Sequence, residues 1–114
     1  MKVAISSEGD NIDSEISGIF GRCPFFVIVD IDNNKMGQAE IIENSNAAQK
    51  GGAGISAAQT IADKGIQVLI TGNVGPRALD VSNQFNIIIY LAKGKIKQAL
   101  NDFIEGKLTE FDKK

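Results

Sequence analysis

Three glycines within four residues, at positions 51–54, do most to limit how this chain can fold. Glycine lets the backbone turn sharply and adopt a positive φ, which other residues resist. The residues that follow carry apolar side chains at Ile55, Ala58, Ile61 and Ala62, the spacing of one helix face. Such a loop directs unpaired N–H groups and the positive end of the helix dipole toward one point, which suits an anion. A tight turn between a strand and a helix is the alternative interpretation.

A second glycine loop, at residues 72–75, follows an apolar run and precedes another helical pattern. Residues 67–71 favour a short buried strand because Val68, Leu69 and Ile70 are apolar and the run is too short for a typical helix. Pro76 suits the first helical position, where its missing N–H does no harm, and the helix is predicted to run to about Gln84. The side chains expected to face inward are Ala78, Val81 and Phe85.

Short apolar runs predict the remaining strands, and turn-forming residues at 32–37 predict a β-hairpin between two of them. Residues 96–104 carry apolar side chains at helical spacing, and Gly106 suits the end of that helix. Residues 109–114 are expected to fray. The predicted strands are residues 2–6, 25–31, 38–43, 67–71 and 87–90.

The order of these elements predicts the fold class. Strands that alternate with helices call for parallel pairing with right-handed crossovers, and the early hairpin adds an antiparallel strand. We therefore predict one three-layer α/β domain over residues 1–114, with a mixed five-stranded sheet flanked by helices.

The composition argues against several classes of protein. The chain contains no histidine, the commonest general base and metal ligand, so a zinc site and trypsin-like or papain-like catalysis are not expected. A net charge of −2 without a block of like charges disfavours nucleic acid as a partner. No apolar run approaches the roughly 20 residues that span a membrane. With one cysteine and no signal-peptide pattern, the chain is expected to be cytoplasmic.

A binding site is expected beyond the carboxyl ends of the parallel strands, where open α/β sheets bind their ligands. A serine pair and the second glycine loop follow two such ends, and the first glycine loop is expected nearby. Arg22 and Arg77, the only arginines, stand in or beside glycine-bearing loops, and a guanidinium suits an anionic ligand. The candidate binding residues are Ser6, Ser7, Arg22, Cys23, Gly51, Gly52, Gly54, Gly72, Asn73, Gly75 and Arg77.

Cys23 is the one soft ligand in the chain. As a thiolate it could hold iron or the edge of a cluster, whereas as a thiol it would be a small buried hydrophobe. Its position between Arg22 and Pro24, at the mouth of a predicted strand, favours exposure and a lowered pKa, whereas the composition by itself favours the buried thiol.

Catalytic alternatives find little support. A hairpin followed by alternating strands and helices also suggests a ribonuclease-H-like sheet, whose enzymes hold divalent metals with carboxylates from the first strand and its neighbours. The predicted first strand, residues 2–6, carries no acid, and Asp30 and Asp32 at the end of the second strand are more simply turn residues. Residues 51–54 are not followed by Lys-Ser or Lys-Thr, so a Walker A loop is absent. Glu8 and Asp10 remain the candidates for a general base.

Residues 20–26, taken together with the loops at 51–54 and 72–78, carry a wider resemblance. The chain resembles the dinitrogenase iron–molybdenum cofactor biosynthesis family, the NifX-type domain that also forms the C-terminal part of NifB-like proteins. The resemblance covers nearly the whole chain and implies a ribonuclease-H-like fold and the binding or carriage of iron–sulfur cofactor precursors. Many members have a histidine directly before Phe-Gly-Arg, where this chain has Ile19, which leaves Cys23 as the soft donor of that loop.

Two functions follow as hypotheses. The first is a non-catalytic binding or carrier protein for an anionic iron–sulfur or iron–molybdenum-type species, held by loop N–H groups, Arg22 and Arg77, with Cys23 as a candidate iron ligand. The second is a regulatory or interaction module that binds a phosphate-bearing metabolite or a partner protein without metal. An enzyme is the third choice.

Overall fold

A β-hairpin followed by alternating helices and strands forms the structure, a computed structural model that describes residues 1–111. This order agrees with the predicted one. In chain order the elements are β1 (Lys2–Ser7), β2 (Phe25–Asp32), β3 (Lys35–Glu43), α1 (Ala53–Asp63), β4 (Val68–Thr71), α2 (Pro76–Gln84), β5 (Ile88–Leu91) and α3 (Ile96–Ile104).

The five strands form one mixed sheet in the order β3-β2-β1-β4-β5. β1 lies at its centre, antiparallel to β2 and parallel to β4, and β4 is parallel to β5. The fold class is confirmed, and the strand order is compatible with the ribonuclease-H-like arrangement. Because β1, β4 and β5 run in the same direction, their carboxyl ends meet at one edge of the sheet.

The helices cover both faces of the sheet. Alternate residues of β1 explain this, since Ala4 packs into the core under α1 and α2 while Val3 and Ile5 pack into the core under α3. Residues on α1 such as Ile61, and on α3 such as Leu100, are fully buried. The apolar periods of the sequence thus produce three layers.

The hairpin turn is shorter than predicted. Asn33 and Asn34 both have positive φ, the conformation of a two-residue hairpin turn, and β3 begins at Lys35. Asparagine tolerates this backbone region better than most residues. A bulge in the β2–β3 pairing falls between Val29 and Ile31.

Two local predictions are wrong. Phe85 is 46% exposed because α2 ends at Gln84, and Leu79 and Ser82 join Ala78 as the buried side chains of α2. The tail is not frayed at residue 111, where the Phe111 N–H donates to the Ile89 carbonyl at 2.7 Å. Residues 112–114 of the predicted frayed tail lie outside the described residues.

No helix in residues 1–111 is long and apolar enough to cross a bilayer.

Candidate functional site

The N-terminal turns of α1 and α2 meet at a cleft of about 420 Å³. Both helices follow glycine loops, and both loops leave the same edge of the sheet. We call this feature the two-helix cleft, and its lining residues are Ile19, Phe20, Arg22, Gly52, Ala53, Gly54, Ile55, Gly75, Pro76, Arg77 and Ala78.

Backbone donors are concentrated in the two-helix cleft. The N-caps are Gly52 and Gly75, neither of which carries a capping side chain, and neither helix has an acidic residue in its first turn. First-turn N–H groups have no acceptor within their own helix, and an uncapped N-terminus leaves them available to a ligand. The positive ends of two helix dipoles therefore converge with free N–H groups on one space.

Close backbone packing brings the two helices together. A Cβ atom built on Gly54 would lie 3.0 Å from the Ala78 Cβ, a separation that is tighter than ordinary contact. A Cβ on Gly21, which has φ +97°, would lie 2.7 Å from the Gly54 Cα. Within residues 51–54 only Gly52 needs a positive φ. Gly54 is thus required for close approach and not for a turn.

Arg22 lies in the cleft wall and holds the segment before α1. Its Nη1 donates to the carbonyl of Ala47 at 3.0 Å and to that of Gln49, and its Nη2 lies 3.5 Å from the Lys50 carbonyl oxygen. The side chain remains exposed. Arg22 therefore contributes both a positive charge to the cleft and an anchor for the chain that enters α1.

Arg77 is the second cation of the cleft. It lies in the first turn of α2 and is exposed. Within residues 1–111 its guanidinium has no hydrogen bond or ion pair. Among residues 1–111 no acidic side chain lines the cleft, so the guanidinium of Arg77 can pair with an anion there.

The serine pair lies outside the lining of the cleft. Ser6 and Ser7 are fully buried. The Ser6 hydroxyl lies 2.7 Å from Thr71 Oγ1 and 3.2 Å from the Ser17 carbonyl oxygen, while the Ser7 hydroxyl donates to the Gly9 carbonyl at 2.6 Å. These hydroxyls hold the chain that follows β1 and are not part of the lining of the two-helix cleft.

Gly72 and Asn73 also lie outside the lining and position one of its walls. The Gly72 N–H donates to the Ser17 carbonyl at 3.1 Å, and the Asn73 carbonyl accepts from the Phe20 N–H at 3.0 Å. A Cβ on Gly72 would lie 2.7 Å from the Gly18 Cα. Gly51 is exposed and likewise absent from the lining.

Cys23 is buried, so the buried-thiol alternative is confirmed and the expectation of an exposed thiol with a lowered pKa is wrong. The residue is 0% exposed and belongs to the core under α1 and α2. Burial raises the pKa of the thiol to about 11, and hydrogen bonds from the Gly21 backbone and the Asn44 side chain oppose this shift only in part. A thiol in this environment is protonated at neutral pH and is a poor metal ligand as it stands.

Asn44 was not among the candidates, although it orders the same loop. Its side-chain amide donates to the carbonyls of Gly21 and Cys23, at 3.0 and 2.8 Å. A polar residue directly after a strand is too common a pattern to predict this contact. The apolar lining residues were also not among the candidate binding residues. One of them is Ile19, which is 61% exposed.

Metal-binding groups are scarce near the cleft. Residues 1–111 contain no group of three or more histidine, cysteine, aspartate or glutamate side chains that could hold a metal ion. The lining includes neither a carboxylate nor a thiolate, and Glu8 and Asp10 are not part of it. The cleft thus offers N–H groups, two guanidinium groups and apolar surface.

The sequence of residues 1–106 matches the protein family described as dinitrogenase iron–molybdenum cofactor. The chain belongs to this family. The resemblance inferred from residues 20–26 and the two glycine loops is thereby confirmed, as are the NifX-like and NifB-like assignment and the α/β fold.

Several known proteins are similar to this chain over nearly their whole length. An uncharacterized protein of Methanocaldococcus jannaschii is 36% identical over 113 residues, which cover 98% of this chain and 92% of that protein. The apo form of the orange protein from Desulfovibrio gigas is 32% identical, with a TM-score of 0.87 over 96% of this chain and 92% of that one. A candidate NifB protein from Thermotoga is 32% identical, with a TM-score of 0.81 over 99% and 97% of the two chains.

Proposed function

We propose that this protein binds and carries an anionic iron–sulfur or iron–molybdenum-type species in the two-helix cleft, without catalysing its conversion. One observation carries the proposal: two uncapped helix N-termini and the only two arginines of the chain line one cleft, and no acidic residue among positions 1–111 joins that lining. Membership of a family described by the iron–molybdenum cofactor supports the same class of cargo.

The donor set suits the outer surface of a metal–sulfur species. Sulfide and thiolate sulfur carries diffuse negative charge, which N–H groups and guanidinium groups stabilise by hydrogen bonds. The apolar side chains Ile19, Phe20 and Ile55 complete the lining and suit the weakly hydrated faces of such a species. The cargo is a bound substrate here and not a resident cofactor.

The same donor set does not suit coordination of iron by the protein. Cys23 is the only thiol of the chain, it is fully buried, and its pKa is raised to about 11. We therefore propose that the cargo arrives with its metal coordination complete, and that Cys23 takes no part in holding it. The proposal thereby departs from the earlier hypothesis of an iron–Cys23 bond.

Non-catalytic binding is the simpler role for this cleft. Arginine stays protonated at physiological pH, so neither cation of the lining serves as a general base. Backbone N–H groups donate hydrogen bonds but do not exchange protons with substrates on the time scale of catalysis. Binding, protection and transfer are the tasks that these groups support.

A titration with a synthetic, thiolate-ligated four-iron four-sulfur cluster under anaerobic conditions tests the proposal. We expect the native protein and Cys23→Ala to bind one cluster each, with equal affinity by visible absorbance and iron content. The double variant Arg22→Gln, Arg77→Gln should bind at least about tenfold more weakly, because charge-assisted hydrogen bonds are lost. If the native protein retains no cluster, or if Cys23→Ala loses it, the proposed mode of binding is wrong.

A phosphate-bearing metabolite is the second candidate ligand, since uncapped helix N-termini and arginine also bind phosphate. A ligand that binds only the folded state raises the melting temperature. A thermal-shift series with inorganic phosphate, nucleotides and sugar phosphates therefore separates the two candidates. A shift with one of these compounds, and none with the cluster, would favour the regulatory module.

A further inference from the structure

We propose that Arg22 couples occupancy of the two-helix cleft to the order of residues 44–52, the segment that enters α1. The inference rests on the proposed function, since it requires an anion in the cleft. It concerns a different property, namely the way in which binding changes a surface segment outside the cleft.

The hydrogen bonds of Arg22 divide its guanidinium into two edges. Both protons of Nη1 are taken by the segment, one by the Ala47 carbonyl and one by the Gln49 carbonyl. Nη2 has only a long contact, 3.5 Å, to the Lys50 carbonyl oxygen. The edge formed by Nε and Nη2 is therefore left for an anion, and a guanidinium binds anions through that edge in a bidentate manner.

The C-terminal end of the segment also lies at the cleft, next to the space that the anion would occupy. Its last residue, Gly52, is the N-cap of α1 and lines the cleft. An anion bound by the first turn of α1 and by Arg22 would therefore contact the segment's C-terminal end directly and its middle through Nη1. Two contacts on one rigid ligand restrict the segment more than either contact does alone.

Apart from Arg22, the middle of the segment is held by hydrogen bonds within the segment and by one link to α1, in which Asn46 Nδ2 lies 3.5 Å from Thr60 Oγ1. The Ala47 N–H donates to the Asn44 carbonyl at 3.2 Å, and the Gln49 N–H donates to the Asn46 carbonyl at 3.0 Å. Residues 48–52 are exposed. Turn hydrogen bonds near the surface open easily, so the Arg22 contacts to the Ala47 and Gln49 carbonyls add to the few interactions that oppose opening of the segment. The order of this exposed segment then reports whether the cleft is full, in a form that a partner protein can read.

Hydrogen–deuterium exchange of the full chain tests the coupling, with the peptide that covers residues 44–52 as the reporter. The probe is the synthetic four-iron four-sulfur cluster, with inorganic phosphate in a parallel arm. At saturation we expect the Ala47 and Gln49 amides of the native protein to exchange about tenfold more slowly than in the free protein, the scale of a charge-assisted hydrogen bond.

Arg22→Lys and Arg77→Lys form a matched pair, because each keeps the positive charge and loses the planar guanidinium that makes paired hydrogen bonds. Both should bind the probe more weakly, and both are compared at saturation. Arg77→Lys should keep the slowed exchange of the segment, whereas Arg22→Lys should lose it while the probe stays bound. Slowed exchange that persists in Arg22→Lys, or equal exchange in the free and saturated native protein, would overturn the coupling.

The two probes separate this inference from the proposed function. If phosphate slowed the exchange and the cluster did not bind, the coupling would be supported and the proposed cargo would be wrong. Binding of the cluster without slowed exchange would keep the cargo and remove the coupling. If neither probe binds, both proposals are wrong.

Discussion

Gly21 and Gly54 pack backbone against backbone, so closely that a Cβ on Gly21 would lie 2.7 Å from both the Cα and the N of Gly54. This contact seats the turn that carries Arg22 on the N-terminus of α1. Gly54 in turn lets α1 approach Ala78 of α2. The cleft therefore owes its form to three small residues in succession, from the loop after Phe20 through α1 to α2.

Gly21→Ala is expected to destabilise the fold strongly. The added methyl group meets backbone that cannot move aside, and the φ of +97° is strained for any L side chain. We expect the free energy of unfolding to fall by about 2 to 4 kcal/mol, as measured by urea denaturation. Gly51→Ala is the control, because nothing lies within 4 Å of its Cβ position. A loss in Gly21→Ala no larger than in this control would contradict the packing argument.

Arg77→Gln is expected to weaken anion binding without affecting the fold. The side chain lacks partners within residues 1–111, so its removal costs the folded protein little. We expect about tenfold weaker binding of the synthetic cluster, by anaerobic titration. Lys64→Gln removes the same charge at the opposite end of α1 and should change the affinity less than about twofold. Equal losses in the two variants would point to overall charge and not to the cleft.

Ionisation of Cys23 is expected to lower the stability at alkaline pH. The pKa of the thiol is raised from 9.0 to about 11 in the folded protein, so between these values the unfolded chain releases a proton that the folded chain retains. The contribution of Cys23 to the free energy of unfolding keeps its full value below about pH 9. It falls by about 2 to 3 kcal/mol as the pH rises to about 11. Urea unfolding at about pH 8 and about pH 10.5 measures this loss. The fall in the free energy of unfolding between these pH values should be smaller in Cys23→Ala. An identical fall in this variant would show that groups other than Cys23 cause it.

Ser6→Ala is expected to lower stability and to leave cluster binding unchanged. The buried Ser6 hydroxyl lies 2.7 Å from Thr71 Oγ1, and its loss leaves a buried hydroxyl with fewer partners, at a cost of about 1 to 3 kcal/mol. Thermal or urea unfolding measures the loss, and the cluster titration measures binding. The double variant Ser6→Ala, Thr71→Val should recover part of the stability, because both hydroxyls are then removed and no buried hydroxyl lacks its partner. If a folded Ser6→Ala protein bound the cluster more weakly, Ser6 would have to be counted as part of the binding site.

The regular elements could be predicted because their signals are local. Apolar alternation and runs gave the strands, and glycine at 65 and 106 and asparagine at 86 mark helix ends, where all three have positive φ. Pro76 begins α2, as its fixed φ and missing N–H require. Each of these features depends on residues within one or two turns of chain.

The candidate site could be predicted only in part. Arg22, Arg77, Gly52, Gly54 and Gly75 line the cleft, because strand direction brings both loops to one edge of the sheet. The remaining candidates lie outside its lining: Ser6, Ser7, Cys23, Gly51, Gly72 and Asn73. Exposure depends on what packs over a residue, and for Cys23 that cover includes Asn44, which lies 21 positions away.

Local patterns along the chain predict the strands, the helices, their order and the family, since periodicity, turn residues and loop motifs each involve neighbouring residues. Which polar residues face the cleft and which are buried depends on the packed fold. The close approach of Gly21, Gly54 and Ala78 joins residues far apart in the chain, and no local pattern encodes it. Burial and backbone contact depend on packed neighbours, and those neighbours come together only when the sheet and its helices have formed.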